Sequence, residues 1–267
     1  RTGILRDHER HPTRGLERRK VCCVPTVRIV GPGRAGSSLA DALASAGWAV
    51  ADAVVRGDDP AGAAEGVDLC VVAVPDGAIP AVAGAIRPVT TTVVAHLAGS
   101  LGAGVLAPHA RRAAMHPLVS LPDRSTGARA LGSGCWWAVE GDSLAERVVA
   151  DLGGRTVAVG PSTRAVYHAA ACIAANHLVA VLGQLDRVVE AAGLPREPFY
   201  ELAAGALANA RAHGAVAAIT GPAARGDVAT IGRHLDALDD GERDLYLALA
   251  GAAALLAGRP AEELACR

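Results

Sequence analysis

Val27-Arg28-Ile29-Val30-Gly31-Pro32-Gly33-Arg34-Ala35-Gly36 joins a short β-rich run to the start of a helical pattern. A lone GxGxxG arises easily by chance in a chain with 31 glycines, so its flanks decide its meaning. In a strand–turn–helix setting, Gly31 permits the tight turn, Gly33 lets backbone approach a pyrophosphate, and Gly36 lets the helix pack close to the strand. Pro32, Arg34 and Ala35 complete the loop that would line the phosphates. The helix expected over residues 37–47 carries Leu39, Ala42, Leu43 and Ala46 at three–four spacing. Its free N-terminal amides and positive dipole end would face the phosphates. The alternative is a strand–helix turn that merely needs glycines.

The next run, residues 49–55, ends in Arg56-Gly57. Proteins that use NAD place Asp or Glu about twenty residues beyond the glycines to hold the ribose 2′-hydroxyl. Arg56 at that point suits a 2′-phosphate through charge-assisted, bidentate contacts, so the expected cofactor is NADP(H). Asp52 lies mid-strand. Asp58 and Asp59 are the rival candidates, but they fall in a loop.

A chain of 267 residues suffices for one large domain or two small ones. A net charge of −1 offers no electrostatic footprint for nucleic acid. Of the six cysteines, Cys22 and Cys23 are adjacent and the rest lack metal-ligand spacing, so no metal site is expected. Cys70 and Cys172 sit on apolar runs and read as small core residues, reduced thiols of a cytoplasmic protein. No apolar run of the ~20 residues needed to cross a bilayer is free of polar interruption, and no secretory signal is evident. Residues 1–25 are arginine-rich, contain Pro12 and Pro25, and lack an apolar period. They read as a disordered tail, although an arginine-rich, acid-poor leader also has the character of a transit peptide.

Further along, β-rich runs recur at residues 27–30, 49–55, 69–74, 91–95, 112–115, 135–139 and 155–158, separated by helical or loop segments. This alternation predicts an α/β fold with a Rossmann-type, mostly parallel sheet. Run 69–74 is apolar throughout, as for a central strand buried on both faces, and ends in Pro75-Asp76 at the edge where such sheets bind ligands. After Gly160 the pattern turns helical, with helices expected over 163–192, 197–213, 223–238 and 241–256. The division is therefore a cofactor-binding domain over 26–160 and an all-α domain over 161–267. With 3% aromatic residues, the cores must be built from Ala, Val and Leu. Long Ala-lined helices of this kind predict a homodimer through residues 163–192 and their successors.

Several longer stretches carry a resemblance. They are Gly31–Gly36, Val74-Pro75-Asp76, His96-Leu97-Ala98-Gly99-Ser100-Leu101-Gly102 and Met115-His116-Pro117-Leu118. In the helical half they are Tyr167-His168-Ala169-Ala170-Ala171, Asn176 and Thr220-Gly221-Pro222-Ala223-Ala224-Arg225-Gly226-Asp227. With these, residues 26–257 resemble a bacterial Rossmann-like family with a C-terminal helical domain of unknown function (2520). The architecture is similar to the 6-phosphogluconate dehydrogenase-like and ketopantoate reductase-like group. The resemblance implies an NADP-dependent reductase of a small carbonyl or imine acting in an inter-domain cleft, with a ketopantoate-like 2-oxo acid as the expected substrate. It implies cofactor contacts from Val74, Pro75, Asp76, Gly99 and Ser100.

One departure stands out. In relatives of that group a lysine early in the long helix serves as proton donor, with an asparagine a turn or two beyond. This chain's only lysine is Lys20. The corresponding helix offers His168, Cys172 and Asn176 at i+4 steps, a stripe on one face. His168 can transfer a proton near neutral pH, and Asn176 can hold a carbonyl or the nicotinamide amide; alternatively Tyr167-His168 caps or packs the helix start. Ser100 is a ligand contact or an ordinary turn serine. His96 reads as a satisfied core or strand-end histidine. His116 faces substrate or closes a structural turn. Thr220 and Arg225 can hold a substrate carboxylate with Asp227 fixing Arg225, or the three only secure a helix junction. No G-x-S-x-G elbow is present, which removes the hydrolase reading. Two rival functions remain: a non-catalytic NADP(H)-binding sensor or scaffold, and an imine or deazaflavin-linked reductase.

Overall fold

The computed structural model describes residues 24–264. Apart from Val24 and Pro25, the tail expected over 1–25 lies outside the described residues, as do Lys20 and the Cys22–Cys23 pair. The chain divides into two units between His168 and Ala169.

Each of the seven β-rich runs becomes a strand of one sheet: β1 Thr26–Val30, β2 Ala49–Val50, β3 Leu69–Val72, β4 Val93–His96, β5 Arg112–Pro117, β6 Trp136–Gly141 and β7 Arg155–Ala158. The order is β2-β1-β3-β4-β5-β6-β7, parallel except for the antiparallel β5–β6 pair. β2 is shorter than the run 49–55 implied. It is an edge strand with both residues exposed, and the chain rejoins β1 only at an isolated bridge from Val54 to Val30. With a neighbour on one side only, the pairing lapses after the Ala51 N–H donates to the Val27 carbonyl at 2.8 Å, and Asp52 and Ala53 leave the ladder. Because β2 and β3 flank β1 on opposite sides, the topology switches between β1 and β3. Ligands of such sheets bind outside the carboxyl ends of the strands at that switch.

Residues alternate between the sheet's two faces. Ile29, Leu69, Val71 and Met115 pack with α1 (Arg34–Ser45) on one side, whereas Val30, Cys70, Val72 and Val94 pack with α2 (Ile79–Ala85) on the other. Burial pushes the Cys70 thiol up to about 12, so it stays protonated and inert. α1 begins three residues earlier than its apolar period suggested, directly behind Gly33. It packs on α3 (Arg124–Leu131), where Arg124 forks onto Asp41 at 2.6 Å through both nitrogens. α4 (Leu144–Asp151) completes that face, and α5 (Arg164–Cys172) begins in this unit.

Every regular element among the second unit's described residues is helical. A π turn over Ile173–His177 succeeds α5, then α6 (Leu178–Ala191), α7 (Glu197–His213), α8 (Ala215–Ala218), α9 (Pro222–Arg225), α10 (Val228–Ala237) and α11 (Asp240–Leu256). The single helix expected over 223–238 is broken into α9 and α10. Gly226 adopts φ +71°, and the Asp227 side chain caps α10 by accepting the Thr230 N–H at 3.0 Å. The unit's core is small, built on Ala223, Ile231, Ala250 and Ala254. Large apolar side chains stay exposed around it: Val179 by 65%, Leu202 by 70% and Val216 by 68%.

The polar interruptions in the chain were expected to leave no stretch able to span a bilayer. One helical run, Arg164–Ala191 with 28 residues, nonetheless has the length and composition to do so. Isolated polar residues such as Asn176 and Gln184 do not outweigh the Ala, Val and Leu around them.

Candidate functional site

The three glycines of the loop answer to three different physical demands. Gly31 turns the chain at φ +86°, and a Cβ there would lie 2.7 Å from Val74 Cγ1 at the end of β3. A Cβ on Gly36 would lie 2.7 Å from the Gly31 carbonyl and 2.8 Å from Ile29 Cγ2, so this glycine lets α1 sit against β1. Gly33 has no atom within 4 Å of such a Cβ. Protein packing does not ask for a glycine there; a ligand approaching the backbone would. Behind it, the first turn of α1 has neither a side-chain cap nor an acidic residue, which leaves its amides available to an anion. The loop with Pro32, Arg34 and Ala35 therefore fits a dinucleotide pyrophosphate.

Arg56 sits exposed in the turn just beyond the Val54 bridge. The two rival acids are engaged locally: Asp58 accepts the Val55 N–H at 2.9 Å and Asp59 accepts the Ala61 N–H at 2.9 Å. They shape the turn that presents Arg56.

The β3 and β4 ends meet at the same edge. Ser100 Oγ donates to Asp76 Oδ2 at 2.5 Å, joining two of the expected cofactor positions beside Val74 and Pro75. His96, fully buried at the end of β4, accepts the Ala98 N–H on Nδ1 at 3.2 Å. Its Nε2–H therefore donates to the Gly102 carbonyl at 3.2 Å. Burial holds its pKa down, so it is a neutral, satisfied histidine that staples both ends of the Gly99 loop.

Gly99 lies between two imidazoles. A Cβ there would be 2.8 Å from His116 Cε1 and 2.8 Å from His168 Cδ2, so only glycine lets both rings converge on this backbone. The rings stand edge to face with centroids 6.1 Å apart. His116 Nδ1 and the Tyr167 hydroxyl are 2.5 Å apart. Burial, then the adjacent His168 charge, lowers the His116 pKa to about 4, and burial raises the Tyr167 hydroxyl to about 12. Both are neutral at physiological pH and share one proton in a hydrogen bond. One chain edge thus collects Gly99, Ser100, Asp76, His116, Tyr167 and His168.

Sequence reasoning passed over two groups here. Beside Gly102 the buried Arg164 forms an ion pair with the half-buried Glu140, and neither lies in a motif, so only their meeting in space reveals them.

In the second unit, Asn176 lies exposed on the π turn. That turn adds a residue to the helical repeat, so the i+4 register read from His168 through Cys172 is not kept at Asn176. Thr220 and Arg225 line a cavity of about 600 Å³ with Ile219, Gly221, Ala224 and Leu256. Asp227 does not clamp Arg225. Its carboxyl is held low by hydrogen bonds from Thr230, with Arg233 and Arg225 adding only a weaker field. Among the described residues no group of three or more His, Cys, Asp or Glu side chains is placed to hold a metal ion.

A Bacteroides fragilis protein with an inferred NADP oxidoreductase assignment superposes with a TM-score of 0.73 at 19% identity, covering 87% of this chain and 98% of that one. A Thermotoga maritima protein, TM1727, gives 0.64 at 21% over the same shares. An imine reductase from Myxococcus stipitatus, in complex with NADP+, gives 0.57 at 15%, covering 88% of this chain and 93% of that one. These likenesses establish the fold. No curated protein sequence matches the chain. Residues 135–253, which include β6, β7 and most of the helical half, match the family described as a domain of unknown function, DUF2520.

Proposed function

We propose that the protein is an NADP-dependent oxidoreductase that reduces a small 2-oxo acid or similar carbonyl compound, ketopantoate-like in size and charge. The observation that carries this reading is the convergence of His116 and His168 on Gly99, at the same sheet edge as the phosphate-fitting glycine loop. When bound, NADPH supplies the hydride. The glycine loop and the first turn of α1 hold its pyrophosphate, and Arg56 holds its 2′-phosphate. An N–H of His168 gives the proton to the substrate oxygen as hydride arrives at carbon. His116, kept neutral, orients the site with Tyr167 and does not compete for that proton. Such an enzyme works in the cytoplasm, where its thiols stay reduced.

The test is NADPH oxidation by purified protein against ketopantoate and a panel of 2-oxo acids and cyclic imines. Turnover of ketopantoate or another oxo acid supports the reading. Turnover of imines alone would replace it with imine reduction, a second reading favoured by the likeness to the imine reductase above. Tight NADPH binding with no turnover would instead favour a sensor or scaffold.

Cofactor choice gives a sharper expectation. Arg56→Asp places a negative charge where the 2′-phosphate sits. A charge-assisted contact is worth about 1.5–3 kcal/mol, so the NADPH-over-NADH preference falls at least ~tenfold in fluorescence titrations. Equal losses for both cofactors would remove Arg56 from the 2′-phosphate site.

We also propose a homodimer through the second unit. The exposed Val179, Leu202, Leu207 and Val216 leave more apolar surface uncovered than a small helical unit tolerates alone. Sedimentation at micromolar concentration should give a species of twice the chain mass. A clean monomer in detergent-free buffer would sink the dimer, and recovery only in the membrane fraction would turn the Arg164–Ala191 helix into a span.

A further inference from the structure

The Gly99 loop and the start of α5 are separated by some sixty residues, yet one side chain on β6 holds both. Glu140 Oε1 accepts the Ala103 N–H at 3.2 Å, and Oε2 accepts the Arg164 guanidinium. Arg164 is only 6% exposed and also donates to the Val159 carbonyl at 2.9 Å. Tyr167 and His168 come three and four residues after Arg164, which puts all three on one side of the helix. The loop presses directly on the pair: a Cβ on Gly102 would lie 3.2 Å from Glu140 Oε2 and 3.6 Å from Arg164 Nε. At its far end the same loop is stapled by His96. Glu140 pairs across the ladder with Ala114, and Ala138 pairs with His116, so Glu140 shares a sheet face with His116 two residues away.

We infer that Glu140 is a positioning residue, whose two carboxylate oxygens tie the Gly99–Gly102 loop and the start of α5 to one point on β6 and so set the spacing of Gly99, His116, Tyr167 and His168. The inference rests on the reading of these residues as a reductase site, but the geometry it describes does not need turnover to be measured. A carboxylate is suited to the task. It accepts on both oxygens, and its charge offsets that of a guanidinium taken out of water, which neither a hydroxyl nor an amide does.

The titration of His116 reports the spacing. His116 is faced by Tyr167, His168 and Arg164 from α5, by Asp76 from the β3 end and by His96 from β4. In the native protein it stays neutral down to about 4, mainly because it is buried. Glu140→Gln keeps an acceptor for Ala103 but turns its other arm into an amide facing a cation. Arg164→Lys keeps the charge but replaces the planar guanidinium, whose Nη2 donates to both Glu140 and Val159, with a shorter, more strongly hydrated ammonium. If Glu140 positions the helix, either change loosens the His116–Tyr167 contact and lets water reach the ring. The His116 midpoint, followed by NMR on histidine-labelled protein and assigned with His116→Gln, then rises by at least about one pH unit, a tenfold change in proton affinity.

Direct electrostatics has the opposite sign. Removing the Glu140 charge leaves the Arg164 field unopposed, and that field disfavours protonation of His116. A midpoint that stays put or falls in folded E140Q therefore overturns the inference. Should E140Q fail to fold, R164K decides by the same readout. Wild-type protein inactive on every carbonyl and imine would refute the reductase reading while leaving this titration decisive.

Discussion

Replacing His168 with alanine is expected to lower kcat by about 10²–10⁴-fold, the usual cost of losing a general acid. NADPH affinity changes by less than about threefold, since His168 stands on α5 and not on the glycine loop. His168→Gln is nearly as damaged, because an amide keeps a hydrogen bond but cannot release a proton. Tyr167→Phe separates orientation from proton transfer. It removes the hydroxyl beside His116 Nδ1, and a single neutral hydrogen bond is worth about 0.5–1.5 kcal/mol, so the loss stays near tenfold. Steady-state kinetics on the substrate that survives the panel measures all three. If His168→Ala keeps near-native kcat while Tyr167→Phe loses three orders of magnitude, the proton comes from the tyrosine and the roles are exchanged.

Gly31→Val is expected to remove NADPH binding almost entirely and to destabilise the protein, whereas Gly33→Ala should weaken binding with the fold intact. At Gly31, a left-handed backbone costs a branched residue about 1–2 kcal/mol. Pressing a side chain into Val74 and the Ala73 carbonyl costs about 1–3 kcal/mol more. Against a typical domain stability of ~5–15 kcal/mol the sum lowers Tm by many degrees. The displaced β3 end carries Val74, Pro75 and Asp76 away from the phosphates, so affinity drops at least ~100-fold. Gly33 has an ordinary extended backbone and open space beyond its Cα, so its methyl meets only the ligand. Thermal melts and NADPH titrations on both variants separate these outcomes. Unchanged binding in a stable Gly33→Ala protein would mean that the pyrophosphate lies elsewhere.

The contrast between these two glycines also shows what a one-dimensional pattern conveys. The motif names both residues as equivalents, and the flanking strand and helix justify the reading. That Gly31 answers to Val74 and Gly33 to nothing in the protein depends on a β3 end more than forty residues away. Likewise His116 and His168 were legible as separate candidates, each with a bland alternative. The residue that joins them is Gly99, expected only as a cofactor contact. Where the expectations missed, the missing information was long-range or finely local. β2 is cut short because it lacks a second neighbour. The helix over 223–238 breaks because Gly226 turns left-handed and Asp227 caps α10, a local detail that a helical period averages away.

Sequence alone determined the seven-stranded Rossmann-type sheet, the helical second half and the anion-fitting loop. Those features arise from side-chain period, turn chemistry and helix-end amides, all of which act within a few residues. Only the tertiary structure decided which polar side chains come together at the candidate site. His116 meets Tyr167 across 51 residues, Asp76 meets Ser100 across 24, and Glu140 reaches Ala103 across 37. Such pairs exist because the sheet order brings the ends of β3, β4, β5 and β6 side by side and because a glycine leaves room between two rings. No local preference encodes either condition; the packing of the whole sheet does.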